Sequence, residues 1–137
     1  MAKFLFNNGK LKDLTIPGQF DSTKIFVSAE VIPDDDVISV AGHSIIDCLK
    51  IEIEDVIFSD HPLNHAMKLY DHALEVEVNA SKIKTGNGEA NGSKVPLNCK
   101  LQVEAGDALL EEFELSDKKT PTANSVFIFR IKFLKEQ

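Results

Sequence analysis

The clearest pattern in the chain is alternation. Val95, Leu97, Cys99, Leu101 and Val103 take turns with Pro96, Asn98, Lys100, Gln102 and Glu104. Successive side chains of a β-strand point to opposite faces, so this pattern predicts a strand with one face on a core and one toward water. The same rhythm runs through Leu74, Val76, Val78 and Ala80, through Phe127, Phe129, Ile131 and Phe133, and through Leu49, Ile51 and Ile53. In the last of these the phase then flips, with Asp55 on the apolar side and Val56 and Phe58 on the polar one. A β-bulge, or a strand covered on both faces, accounts for such a flip. Weaker strand patterns cover residues 3–6, 11–16, 25–32, 37–41 and 109–115.

Turn chemistry separates these runs: Asn8-Gly9, Pro17-Gly18, Pro33-Asp34-Asp35-Asp36, Ala41-Gly42 and Gly106-Asp107. Asn8-Gly9 lies between two short apolar runs and predicts a hairpin. One segment breaks the period of two. Leu63, Ala66, Met67 and Tyr70 recur at the spacing of one helical face, with Ser59 or Asp60 as an N-cap and Pro62 in the first turn. They predict an amphipathic α-helix over about residues 60–73, its apolar face packed on a sheet. The fold class expected is therefore mainly β, a sandwich or partly closed barrel of about 8–9 strands carrying one helix. Nothing in the pattern splits the chain, so residues 1–137 are read as one domain.

Composition narrows the functional classes. A chain that is 43% hydrophobic and 27% charged is ordinary globular material. The net charge is −7, and basic residues such as Lys82, Lys84, Lys94, Lys100, Lys118, Lys119, Arg130, Lys132 and Lys135 are scattered among acids. This spacing argues against nucleic acid and against an anionic membrane surface as partner. No apolar run approaches the roughly 20 residues that span a bilayer. The first residues lack the apolar stretch and cleavage site of a secretory signal, so the expected location is the cytoplasm. Cys48 and Cys99 fall within apolar patterns and read as reduced, buried hydrophobes.

Several constellations have some chemistry in them. His61, His65 and His72 are four and seven residues apart, and on a continuous helix they form one stripe able to hold zinc. That stripe lies opposite Leu63, Met67 and Tyr70 and contains Lys68, so it reads as a solvated helix face and only weakly as a metal site. Asp34, Asp35 and Asp36 lack the central Gly and terminal Glu of a calcium loop and read as a turn. The segment from Thr85 to Lys94 fails the phosphate-loop spacing, because five residues separate Gly86 from Gly92 and Ser93 precedes Lys94. No nucleophile elbow surrounds Ser44 or Ser59. No cofactor is expected.

What remains is a connection that is long for a compact domain. Gly86, Asn87, Gly88, Glu89, Asn91 and Gly92 form a polar tip suited to ordering against a partner. The expected function is a non-enzymatic structural or interaction subunit, its partner itself or another protein, joined through edge strands into a ring or tube. In architecture, though in no motif, such a domain resembles the tube subunits of phage tails and contractile secretion systems. The alternative is a small-ligand-binding barrel or sandwich with Phe127, Phe129 and Phe133 lining a cavity. An enzyme stands third, and would need a pocket joining His43, His61, His65 or His72 to a carboxylate.

Overall fold

Alternation becomes burial in the computed structural model, which describes residues 3–5, 10–33, 37–46, 51–53, 57–85, 88–89, 97–117 and 125–137. The described residues form eleven strands and one short helix. Strands β1 (Lys3–Leu5), β3 (Lys24–Pro33), β6 (Phe58–His65), β9 (Leu97–Ala105) and β10 (Ala108–Asp117) make a first sheet in the order β1-β10-β9-β3-β6. A second sheet runs β2-β11-β7-β4-β5, from β2 (Leu11–Ile16), β4 (Val37–Ile46), β5 (Ile51–Ile53), β7 (Ala73–Thr85) and β11 (Ser125–Lys135). The two-residue β8 (Gly88–Glu89) pairs back onto β7. The described residues form two separate sheets rather than one closed barrel.

Both sheets contribute to one core. From the first come Ile25, Val27, Leu101, Val103, Phe113 and Leu115, and from the second Ile16, Leu74, Val76, Phe127, Phe129 and Phe133, in a single cluster of buried residues. β9 buries every second residue along its whole length, and this one face on apolar neighbours fixes its register. Burying each large side chain contributes about 1.5–3 kcal/mol. Phe127, Phe129 and Phe133 are completely or almost completely buried in this cluster, so they serve as core.

The four strongly patterned segments all contain strands. The helix does not follow the expectation. Residues Phe58–His65 extend the first sheet as β6, antiparallel to β3. Only Ala66–Leu69 turns helically, as α1, with no side-chain cap at its start. The apolar spacing that suggested a helical face is split: Ala66 is buried, Leu63 and Tyr70 are partly buried, and Met67 is 51% exposed. The physical reason lies in β3, whose second edge has backbone groups that need partners. β6 supplies them, and this long-range ladder outweighs the local propensity. The residues read as helix start, Ser59 and Asp60, lie instead in a bulge where two β6 residues oppose Ser28 alone, Asp60 having φ 53°.

The hairpin expected at Asn8-Gly9 is also absent. β1 pairs in parallel with β10, and β2 in parallel with β11, so the chain changes sheets between them. Residues 8 and 9 themselves lie outside the described set, as do Asp34, Asp35, Asp36, Asp55 and Val56 with their expected turn and phase change. The Gly106-Asp107 turn is present between β9 and β10. Gly106 has φ 58° at its first central position, where a type II′ hairpin turn demands glycine. Its N–H donates to the Lys24 carbonyl at 3.0 Å.

Between the sheets, Pro17-Gly18 opens a short 3-10 turn (Gly18–Phe20) that anchors α1. The amides of Ala66 and Met67 donate to the carbonyls of Thr23 and Asp21 at 3.0 Å each. The Tyr70 hydroxyl donates to Asp21 Oδ1 at 2.5 Å, and Lys135 Nζ lies 3.7 Å from Asp21 Oδ2. Burial, then the hydrogen bond and charge of Asp21, push the Tyr70 phenol up to about 12.

Two measurements check these contacts. At Gly106 a Cβ would meet Thr23 Cγ2 at 3.3 Å with the backbone left-handed, whereas nothing lies within 4 Å of one at Gly18. Gly106→Ala is expected to lower stability by about 1–2 kcal/mol in chemical denaturation, while Gly18→Ala leaves the midpoint unchanged or raises it. Tyr70 is the only tyrosine and the chain has no tryptophan, so its tyrosinate absorbance reports this contact directly. Because the folded state holds the proton more tightly, the stabilisation is complete below the unfolded value near ~10 and is lost as pH rises through about 12. Asp21→Asn should move the titration midpoint down toward that unfolded value.

Candidate functional site

On the outward face of the first sheet, register brings unlike charges into rows. Lys100 of β9 lies opposite Glu30 of β3 and Glu114 of β10, and Gln102 lies opposite Ser28 and Glu112. Lys100 Nζ is 3.7 Å from Glu30 Oε1 and 3.4 Å from Glu112 Oε1. Gln102 Nε2 donates to the same Glu112 oxygen at 3.1 Å. Glu112 and Glu114 are only 6% and 7% exposed, which makes this a constrained network rather than a row of freely solvated carboxylates.

The bulge in β6 adds a second element. Left-handed backbone at Asp60 aims its N–H at Ser28 Oγ, 2.9 Å away, and Ser28 in turn donates to Glu104 Oε1 at 3.2 Å. An open groove of about 310 Å³ runs over these groups, lined by Ser28, Glu30, Asp60, Lys100, Gln102 and Glu104 among others. An adjoining hollow of about 360 Å³ shares Asp60 and Glu104 and adds Asp107. Ile57 stands at the groove, 52% exposed, beside buried Phe58. The groove thus combines three carboxylates, one ammonium and an apolar flank, and the adjoining hollow adds a fourth carboxylate. Ser28 is occupied as donor and acceptor and has a carboxylate rather than an imidazole for neighbour, an arrangement that holds the bulge in place and does not activate a nucleophile.

The histidines are dispersed. His61 and His65 sit on β6 and His72 lies just before β7. Four residues along a strand span about 13 Å, against about 6 Å along a helix, so the stripe that a helix would make does not form. The His61 ring meets Phe58 edge-on, with centroids 6.3 Å apart at 83°. Among the described residues, no three His, Cys, Asp or Glu side chains gather as a metal-ligating group. Cys99 is buried, and burial pushes its thiol well above the usual range. Of the expected interaction loop, Gly88 and Glu89 pair with Thr85 and Lys84. Gly86, Asn87, Asn91 and Gly92 lie outside the described residues, as does Cys48.

Sequence reading missed the groove. Lys100 and Glu104 were visible as outward positions of a strand, but their partners are set by register with β3 and β10. Asp60 resembled a helix cap, and no local signal distinguishes that role from a bulge.

Removing one member of the network should expose its cost. Lys100→Met leaves Glu112 without its cation and is expected to destabilise the fold by about 1–3 kcal/mol. Pairing it with Glu112→Leu should recover part of that loss in a double-mutant denaturation cycle.

No protein-family model, curated protein or solved structure matches this chain.

Proposed function

We propose that the chain is a non-enzymatic assembly subunit that associates with further copies of itself, using the β4–β7 ribbon as its contact element. One observation carries the reading. Among the described residues, β11 pairs with β7 as far as Ala80, whereas β4 follows β7 on to Thr85. Among the described residues, Ser81 to Thr85 therefore continue the second sheet as a ribbon about 17 Å long, with β8 pairing at Lys84 and Thr85. An isolated two-stranded ribbon is marginally stable in water, and a partner surface would complete it. Gly88 and Glu89 of the expected polar tip pair at this end of the sheet.

The edges favour a ribbon contact over pairing at β6. Pro62, the left-handed Asp60 and two register shifts interrupt the β6 ladder, devices that block strand addition. β1 and β5 have three described residues each. β2 is a six-residue edge that ends the second sheet, and it is the remaining candidate for edge-to-edge growth.

Light scattering over a concentration series should give a mass that rises above 15.2 kDa in the full chain. Ile83→Pro puts a residue without a backbone N–H into the ribbon strand opposite Val40 and should weaken that association while leaving cooperative unfolding intact. A strict monomer at every concentration, or an oligomer indifferent to the ribbon variant, would count against the reading.

A further inference from the structure

The backbone of β2 divides into two sets of groups. The Ile16 carbonyl accepts from the Glu136 amide at 3.1 Å. Along a strand, the N–H and C=O of successive residues alternate between its two edges. Lys12, Leu14 and Ile16 therefore turn theirs toward β11, and Leu11, Asp13 and Thr15 turn theirs away from it. On that far side the second sheet has no further strand among the described residues. The side chains of Leu11, Asp13 and Thr15 are exposed as well, Leu11 by 44%. At the β6 margin, Pro62 and two register shifts guard the ladder. Between Leu11 and Ile16 there is neither a proline nor a register shift, and an open edge of this kind accepts another strand.

We propose that β2 pairs antiparallel with β2 of a second copy, about a two-fold axis at Leu14. This register sets Asp13 opposite Thr15 of the second copy, and Leu11 opposite its Pro17. Asp13 and Thr15 both face the open edge, so each such pair exchanges both backbone hydrogen bonds, and Leu14 lies between them as the non-hydrogen-bonded pair. On the outward face the Thr15 hydroxyl comes within reach of the Asp13 carboxylate, and the exposed Leu11 gains an apolar neighbour in Pro17. Other registers are worse. An axis at Asp13 sets two carboxylates against each other. An axis at Thr15 sets Asp13 against Pro17, which has no N–H to give. An axis between two residues pairs the buried positions 14 and 16 with exposed ones. The strand is thus its own complement, and the contact is isologous, closing on itself as a pair. It uses neither the ribbon nor the groove.

Hydrogen exchange at single amides reads the pairing directly, in the full chain over a concentration series. The Leu14 and Ile16 amides face β11 and should be protected at every concentration. Those of Asp13 and Thr15 should become protected only as the chain associates. Light scattering on three variants then measures the strength of the contact. Thr15→Pro takes away a donor that faces the second copy and none that faces β11, so it should abolish the contact while circular dichroism stays native. Thr15→Lys sets an ammonium opposite Asp13 of the second copy and should tighten the pair about fivefold. Thr15→Asp sets like charges there and should loosen it by about as much. Asp13 and Thr15 amides that exchange freely where the chain is associated would overturn the proposal. So would Lys and Asp variants that shift the association in the same direction, or a chain that is monomeric throughout. The protection should persist in Ile83→Pro, so that this contact and the ribbon contact stand or fall separately.

Discussion

Two sheets with one apolar face each can hide those faces only against each other, and the interior of this protein follows from that constraint. β3, β9 and β10 turn Ile25, Val27, Leu101, Val103, Phe113 and Leu115 toward β7 and β11, which return Leu74, Val76, Phe127, Phe129 and Phe133. The strict period of two in β9 and β7 leaves no freedom of register, since a slip of one residue would exchange a completely buried row for a charged one. The hairpin at Gly106, the turn after Pro17 and the tether from Tyr70 to Asp21 then hold the ends of these strands at the positions that the core dictates.

The same rule explains what could be read in advance. Strands that lie with one face on the core carry their own signature, and β7, β9 and β11 were legible residue by residue. β6 was not. Its sequence combines Pro62, polar residues and an i, i+3, i+4 spacing, because an edge strand with two bulges has no reason to alternate. What recruits it is the unfilled edge of β3, a demand that belongs to another part of the chain. The parallel pairing of β1 and β2 escaped for a related reason, as a local Asn-Gly signal cannot disclose a partner a hundred residues away.

The groove lies further from sequence still. Its outward residues looked like ordinary solvated positions, and each looks so when taken singly. They become a site through the register that sets Glu30, Lys100 and Glu114 in one row, and through a bulge that moves Asp60 above Ser28. The histidines show the converse. Spacing that would be meaningful on a helix loses its meaning on a strand, where a four-residue step more than doubles in length.

The parallel pairings at the margins of the two sheets have a bearing on how the chain is made. Residue 3 pairs with residue 112, and residue 11 with residue 130. During synthesis β1 and β2 therefore emerge before the strands they join, and wait while about a hundred further residues are produced. β2 cannot find its place until β11 has left the ribosome. Loop closure over such a span is slow, and a strand left single for so long keeps its unpaired backbone open to wrong neighbours until its own arrives.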